Sequence, residues 1–162
     1  MLLAVISDTH LPRGQRRLPD DCVGRLEQAD LILHGGDVVS ATTLAEIELI
    51  GPPVVAVQGN QDDDELRRLL PVQRTVEAED ARIAMVHDAG PKDGRLRRLR
   101  LLFPDADAVV FGHSHIPLHE TDDGFQIFNP GSPTDRRRQP AFTMGLAHVS
   151  GDRVRFELVE VG

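Results

Sequence analysis

The stretch VVFGHSHIPLHE, residues 109–120, passes from apolar residues into two histidines separated by one serine. Its first three residues are typical of a buried strand. Gly112 allows the chain to turn sharply where that strand ends. Residues two apart in an extended segment project to the same side, so His113 and His115 are expected to face one object. The stretch therefore predicts a strand with a binding site at its carboxyl end.

Similar apolar runs alternate with helix-like segments through the first two thirds of the chain, which is typical of βα units around a buried sheet. The predicted strands are residues 2–7, 31–37, 53–60, 82–88 and 107–115. The predicted helices are residues 20–28, 43–50, 63–70 and 94–103, the second opened by a capping box of Thr43 and Glu46. The last third, with FQIFNPGS, AFTMGLAHVS and RVRFELVEV between turn signals, predicts hairpin strands. We therefore expect an α/β fold with mixed sheets.

Polar clusters follow five of these strands at the point where each ends. They are SDTH, HGGD, QGNQD, MVHD and GHSH, and they supply Asp8, His10, Asp37, Asn60, His87, His113 and His115. Loops at the carboxyl edge of an open α/β sheet form its ligand crevice, so the clusters are expected to converge. Each cluster alone is also compatible with an ordinary turn or a buried histidine. Five such coincidences in consistent order favour a site.

The seven side chains combine hard oxygen with imidazole nitrogen and include no thiolate. This donor set suits Mn, Fe, Zn or Ni better than Ca or a structural zinc site. Seven ligands exceed the need of one tetrahedral ion, but they serve two ions if a carboxylate bridges them. We therefore predict two divalent metal ions per chain, as in phosphatases and nucleases, with Mn²⁺ the first choice and Fe, Zn, Ni or Mg the alternatives.

Composition limits the class of protein. The 162 residues predict a single domain over residues 1–162, and the net charge of −8 argues against nucleic acid or an anionic membrane as partner. No apolar run approaches the roughly 20 residues of a membrane span, and the N-terminus lacks the basic region of a signal peptide, so we expect a cytoplasmic protein. The single cysteine, Cys22, is expected to pack in a helix core.

The chain resembles the calcineurin-like metallophosphoesterases, and within them the small prokaryotic phosphodiesterases of the YfcE type. The family motifs D-x-H, G-D, G-N, H and G-H-x-H occur in that order as Asp8-Thr9-His10, Gly36-Asp37, Gly59-Asn60, His87 and Gly112-His113-Ser114-His115. A histidine before G-D and an N-P-G-S segment, both frequent in the small branch, are matched by His34 and residues 129–132. The resemblance covers nearly the whole chain and implies an α/β sandwich of two mixed β-sheets flanked by helices.

The resemblance also implies roles. One metal ion would be held by Asp8, His10, Asp37 and His115, and the other by Asp37, Asn60, His87 and His113, with Asp37 bridging. The implied reaction is hydrolysis of small-molecule or nucleotide phosphodiesters by a hydroxide between the two ions. Asn60 is also expected to contact the phosphate, and His34 to lie behind the ligands, although an ordinary buried histidine explains it nearly as well. By analogy, a homodimer is a further expectation.

Two positions depart from the family. Larger members have G-N-H-E, whose histidine is proposed to protonate the leaving group, whereas this chain has Gln61, which carries no titratable proton. We therefore expect the rate to depend on the quality of the leaving group, or the leaving group to be protonated by water or another residue. A flat rate across leaving groups of different pKa would contradict this interpretation of Gln61. After His87 the chain continues with Asp88-Ala89 instead of the common Gly-His, which alters the pocket wall, so the substrate preference of the family transfers poorly.

Arginines form two further runs. Residues 129–140 are predicted to be an exposed loop, and arginines in it are expected to face water; the alternative is that Arg136 clamps a substrate phosphate. The arginines at positions 95, 97, 98 and 100 are predicted to form a solvated helix face.

Two other functions are compatible with the sequence. A phosphomonoesterase or nucleotidase can use the same metal core, since specificity lies in the surrounding loops. A non-catalytic interaction scaffold is the other, because the fold resembles a retromer subunit of that kind. The complete ligand set argues for an enzyme, whereas Gln61, which has no titratable proton, is compatible with a scaffold.

Overall fold

The chain forms ten strands and four helices, and the computed structural model describes all residues from 1 to 162. In chain order the elements are β1 (Leu2–Ile6), α1 (Asp20–Glu27), β2 (Leu31–His34), α2 (Ala41–Glu48), β3 (Val54–Ala56), α3 (Asp64–Leu69), β4 (Gln73–Ala78), β5 (Ala81–Val86), α4 (Arg95–Leu102), β6 (Ala108–Val110), β7 (Leu118–Asp122), β8 (Phe125–Asn129), β9 (Phe142–Ser150) and β10 (Arg153–Val161). No helix has the length and apolar character that a membrane crossing requires.

The strands make two five-stranded sheets. The first has the order β10-β9-β1-β2-β3, with β1, β2 and β3 parallel and β9 antiparallel to both β1 and β10. The second has the order β4-β5-β6-β8-β7, with β5, β6 and β8 parallel and the two edge strands antiparallel. Both sheets are mixed, which confirms the predicted α/β class.

The two sheets pack face to face with helices outside. Leu3 of the first sheet and Ile83 of the second belong to one buried cluster between the sheets. The outer face of the first sheet packs against Cys22 of α1 and Ile47 of α2, and that of the second against Leu99 of α4. Each fully buried side chain of this size contributes about 1.5–3 kcal/mol relative to exposure. The predicted packing role of Cys22 is confirmed.

Helix α2 begins earlier than predicted. The backbone amide of Thr43 donates a hydrogen bond of 3.2 Å to Ser40 Oγ, so Ser40 is the N-cap. Thr43 itself is buried and donates from its hydroxyl to the carbonyl of Leu11 at 2.8 Å. The predicted capping box of Thr43 and Glu46 is therefore wrong.

Strands β4 and β7 are absent from the sequence-based prediction. Their residues are mostly exposed, and each strand pairs with one neighbour at an edge of the second sheet. An edge strand with polar residues on both faces lacks the apolar alternation by which strands are found in a sequence.

Helix α4 does not present all its arginines to solvent. Arg98 donates to the carbonyls of Ala89 and Pro91 at 2.7 and 2.6 Å, and Arg95 donates to that of Gly90 at 2.9 Å. The prediction of a solvated arginine face is wrong for these two residues, because the loop after β5 leaves carbonyls without strand partners. The loop is held against the helix.

Candidate metal centre

Three predicted ligands meet where β1 and β6 end. His10 Nε2 and His115 Nε2 are 3.2 Å apart, and His115 Nε2 lies 3.3 Å from Asp8 Oδ1. Each of the three side chains offers a ligand atom within 4.8 Å of the others, and all three are buried. They form the first ligand group.

A second group meets around Asn60, at the ends of β3, β5 and β6. Asn60 Oδ1 lies 3.1 Å from His87 Nε2 and 2.9 Å from His113 Nδ1. His87 is buried, whereas Asn60 and His113 are exposed. The second ligand group therefore opens to solvent on one side, which the first does not.

Asp37 stands between the two groups. Its Oδ2 lies 3.4 Å from His10 Nε2 and 3.4 Å from His87 Nε2. The backbone amide of Gln61 donates to the other oxygen, Oδ1, at 2.8 Å. One carboxylate thus faces both groups, as a bridging ligand requires.

The donor spacing fits metal ions. Imidazole nitrogen and carboxylate oxygen bind transition-metal ions at about 2.0–2.2 Å, which places neighbouring donors of a tetrahedral or octahedral ion about 3.0–3.5 Å apart. The contacts His10–His115 and His115–Asp8, at 3.2 and 3.3 Å, match that spacing, as do the two Asp37 contacts at 3.4 Å. The residues present are therefore suited to two divalent cations.

Two histidine tautomers are set by backbone carbonyls. The carbonyl of Gly35 lies 2.8 Å from His87 Nδ1, and that of Asp135 lies 2.5 Å from His115 Nδ1. A carbonyl only accepts, so each Nδ1 carries a proton, and Nε2 is the ring nitrogen that a metal ion can bind. Such contacts orient the rings of metal-binding histidines.

The backbone is left-handed at five of the seven predicted ligands. These are Asp8, His10, Asp37, His113 and His115, with φ between 46° and 68°. For non-glycine residues this conformation is uncommon and costs of order 1–3 kcal/mol each where it is strained. All five are Asp or His, which adopt this conformation more readily than most residue types, and the turns they form bring their side chains to one end of the sandwich.

A glycine in each of two motifs gives the ligands room. A Cβ at Gly112 would overlap Ser7 Oγ and lie 2.5 Å from Asp8 Oδ2, and a Cβ at Gly59 would overlap the backbone and side chain of Asp37. The G-H-x-H and G-N motifs therefore need glycine for close approach.

His34 lies behind the ligands and is fully buried. The Gly36 amide donates to its Nδ1 at 3.2 Å, so Nε2 carries the proton and donates to Thr9 Oγ1 at 3.1 Å. Burial lowers the pKa of His34 to about 4, which keeps the ring neutral at physiological pH. His34 therefore links the turn after β1 to the turn after β2 without facing the open side.

The site favours positive charge. Burial alone would lower the pKa of His87, but a hydrogen bond with Asp37 and the charges of Asp8 and Asp37 outweigh it and raise the pKa to about 9. Burial would likewise raise the pKa of Asp37, yet the hydrogen bond and charge of His87 hold it below its usual value. Two buried carboxylates set this preference, which a divalent cation satisfies.

Comparison with known proteins identifies the family. Residues 1–152 match the calcineurin-like phosphoesterase superfamily domain. The chain belongs to this superfamily. The resemblance inferred from the motifs is thereby confirmed.

Members and structural neighbours of the superfamily align over most of the chain. A probable metallophosphoesterase of Methanothermobacter thermautotrophicus is 34% identical over 100% of this chain and 94% of its own length. A phosphodiesterase of Methanocaldococcus jannaschii is 24% identical over 81% of this chain and 83% of its own. The structure of Vps29 from Entamoeba histolytica complexed with Zn²⁺ has a TM-score of 0.79 at 21% identity, with 99% of each chain covered. At that identity the similarity shows the fold alone.

The N-P-G-S segment of this phosphoesterase supports the ligand turns from behind. Residues 129–134 are buried, so the predicted exposed loop is wrong for them. Ser132 Oγ donates to the carbonyl of Asp8 at 2.8 Å, and Thr134 Oγ1 donates to that of Thr9 at 2.5 Å. These hydroxyls satisfy carbonyls that a left-handed turn leaves without strand partners. Sequence reasoning matched the motif but missed this role.

Asp62 is a second residue that sequence reasoning missed. It is buried, and its carboxylate accepts from the amides of Gly59 at 2.6 Å and Val39 at 2.7 Å. Burial raises its pKa, and the two amides partly oppose that effect. Asp62 joins the loop after β3 to the loop after β2. It stands within a run of three aspartates, which gave no signal of this role.

Arg136 is not brought to the ligand groups. Its guanidinium lies 5.7 Å from the ring centroid of Phe142 and donates to the carbonyl of Gln139 at 2.6 Å. Burial lowers the pKa of His115, the charge of Asp8 and the hydrogen bond with the Asp135 carbonyl oppose that effect, and the charge of Arg137 adds to it.

Proposed function

We propose that this phosphoesterase hydrolyses phosphodiesters of small molecules or nucleotides with two divalent metal ions, Mn²⁺ being the first candidate. The observation that carries the proposal is the position of Asp37 Oδ2, 3.4 Å from His10 Nε2 and 3.4 Å from His87 Nε2, between two donor groups. The similarity to an archaeal phosphodiesterase supports a diester as the substrate class.

When bound, two divalent ions supply Lewis acidity that activates water and polarises a phosphoryl group. The residues described above would hold the ions, with Asp8, His10 and His115 on the buried side and Asn60, His87 and His113 on the open side. Substrate reaches the site from the open side, because that is where ligand side chains are exposed.

Asn60 is proposed to bind a metal ion through Oδ1 and the substrate phosphate through Nδ2. Its Oδ1 faces the two ring nitrogens of His87 and His113, and its Nδ2 donates to no other group of the chain. An exposed amide with a free donor beside the ligand group is suited to a non-bridging phosphate oxygen.

Gln61 is not suited to proton transfer. It is exposed, and its backbone amide donates to Asp37 Oδ1. Its side-chain amide has no proton to give at physiological pH. We propose that the leaving group departs without a protein acid at this position, so that good leaving groups are favoured.

The first test is hydrolysis of bis(p-nitrophenyl) phosphate and of p-nitrophenyl phosphate by chelator-treated protein titrated with Mn²⁺. We expect diester turnover that saturates at about two ions per chain and that is lost in Asp37→Asn, which keeps the shape of the side chain but removes its charge. Asp152→Asn, an exposed change in the β9–β10 turn, is the matched control.

The outcomes separate the alternatives. Turnover of the monoester in preference to the diester would make the protein a phosphomonoesterase or nucleotidase. Metal binding without turnover of either ester would support an interaction scaffold, whose fold is shared with Vps29. Absence of metal binding would show that the predicted set of metal ligands is wrong.

A further inference from the structure

A cleft of about 360 Å³ opens beside the second ligand group. Asn60 and His87 border it on the side of the ligands, and its walls include Arg67, Val72 and Asp88. The volume lies at the lower end of the range for small-molecule pockets, about 300–1,000 Å³. A group attached to a phosphate at Asn60 therefore has a defined space to enter.

Arg67 lies at the end of the cleft next to Asn60. Its guanidinium donates to the backbone carbonyl of Asn60 at 2.7 Å. This hydrogen bond holds a positive charge next to Asn60, whose side chain faces the second ligand group. Arg67 is exposed, so its remaining donors face solvent. Its charge is suited to the phosphate and not to the distant part of a substituent.

Asp88 places a negative charge in the same cleft. It directly follows His87, is exposed, and accepts from the amide of Gly90 at 2.7 Å through Oδ1. Its second oxygen has no partner in the chain. The loop that carries it is anchored by Arg98, which donates to the carbonyls of Ala89 and Pro91. The carboxylate is therefore presented from an anchored loop and is not neutralised.

Val72 adds an apolar surface to the cleft. Its side chain is 63% exposed although it is a large apolar residue, and Val86 beside it is buried. An alkyl group in the cleft would cover Val72 and gain about 25 cal/mol for each Å² of apolar area removed from water.

We propose that this cleft binds the organic substituent of a phosphodiester and that Asp88 selects a substituent carrying an alkylammonium group. The proposal rests on the proposed phosphodiesterase function. A cation with alkyl groups pairs with Asp88 through its charge and with Val72 through its methyl or methylene groups. A substituent with a further phosphate or carboxylate would instead meet a like charge.

The test uses two isosteric diesters, p-nitrophenyl phosphocholine and p-nitrophenyl 3,3-dimethylbutyl phosphate, which differ only in the charge of the quaternary centre. We expect the wild-type protein with Mn²⁺ to prefer the cationic diester, and Asp88→Asn to reduce the ratio of the two kcat/KM values about three- to tenfold. This substitution preserves the loop, because the amide oxygen that replaces a carboxylate oxygen can still accept from the backbone amide of Gly90. Asp152→Asn should leave the ratio unchanged.

A binding measurement keeps this proposal separate from the proposed function. Calorimetry gives the Kd values of phosphocholine and 3,3-dimethylbutyl phosphate for the Mn²⁺-treated protein and for Asp88→Asn. Loss of the cation preference in the variant supports the proposal even if neither diester is turned over, which would overturn only the phosphodiesterase function. Turnover of both diesters with the same ratio in wild type and variant, or equal Kd ratios, would overturn the role of Asp88 and leave the phosphodiesterase function intact.

Discussion

Ser132 Oγ donates a hydrogen bond of 2.8 Å to the backbone carbonyl of Asp8, across 124 residues of sequence. The same hydroxyl accepts from the backbone amide of Asp135 at 2.8 Å. Asp135 in turn offers its carbonyl to His115 Nδ1. Ser132 thus connects two residues of the first ligand group. It contacts the backbone of Asp8 directly and reaches the ring of His115 through the backbone of Asp135.

Ser132→Ala is expected to weaken metal binding. The change leaves the buried carbonyl of Asp8 without this donor, and a lost buried hydrogen bond costs about 1–3 kcal/mol of unfolding free energy. Loss of groups that orient metal ligands lowers metal affinity about 10- to 100-fold. Urea unfolding and Mn²⁺ calorimetry measure the two effects. Ser150→Ala, at the exposed end of β9, is the control; equal Mn²⁺ affinity in both variants would refute the connection.

The central strands and their ligands were predictable because parallel strands buried on both faces read as Val- and Ile-rich runs. Since the carboxyl ends of parallel strands in one sheet lie at one edge, Asp8 after β1 and Asp37 after β2 could be expected near each other from the sequence alone. His87 follows β5 of the second sheet, so its place beside Asp37 depends on how the two sheets pack. The roles of Ser132 and Asp62 could not be predicted, because each depends on a contact with a backbone group whose direction is set by another turn.

Exposure is less predictable from the sequence than strand position. Arginine runs are usually solvated, yet Arg98 donates to loop carbonyls, which no sequence pattern marks as unpaired. Strands β4 and β7 escape prediction because mostly exposed polar residues occupy both of their faces, so they show no apolar alternation.

Metal binding is expected to release a proton from His87. The pKa of this ring is raised to about 9, so at neutral pH the metal-free ring is protonated, and a metal ligand must be neutral. The apparent Mn²⁺ affinity should therefore fall as the pH drops below about 9, by up to roughly tenfold per pH unit. Calorimetry at neutral pH in buffers of different ionisation enthalpy counts the released proton.

His87→Gln and His148→Gln serve as the pair of variants for this measurement. The first should bind Mn²⁺ weakly and release less proton, whereas the second changes a histidine of β9 that lies outside the ligand groups. A Mn²⁺ affinity of the wild-type protein that does not vary between about pH 6.5 and pH 8.5 would rule out a displaced His87 proton.

Arg137 and Arg136 are expected to differ in their effect on substrate. Arg137 acts on the pKa of His115, whereas the Arg136 guanidinium is occupied by Gln139 and Phe142. Arg137→Ala should raise KM for a phosphodiester about three- to tenfold with a smaller change in kcat, since it removes a cation near the site. Arg136→Ala should leave KM within about twofold of the wild-type value, which is the size of effect expected from a substitution on the surface. A larger rise of KM in Arg136→Ala than in Arg137→Ala would instead show that Arg136 contacts the phosphate.

Gln61 is expected to make the rate depend on the leaving group. Without a titratable proton at this position, departure of a poor leaving group lacks the general-acid contribution, which is typically about 10²–10⁴-fold. A series of aryl and alkyl methyl phosphates should therefore show kcat/KM falling steeply as the pKa of the leaving alcohol rises. Gln61→His should flatten that slope and add a dependence on imidazole protonation, whereas Gln126→His, on β8, should not. A wild-type slope near zero would show that another group donates the proton.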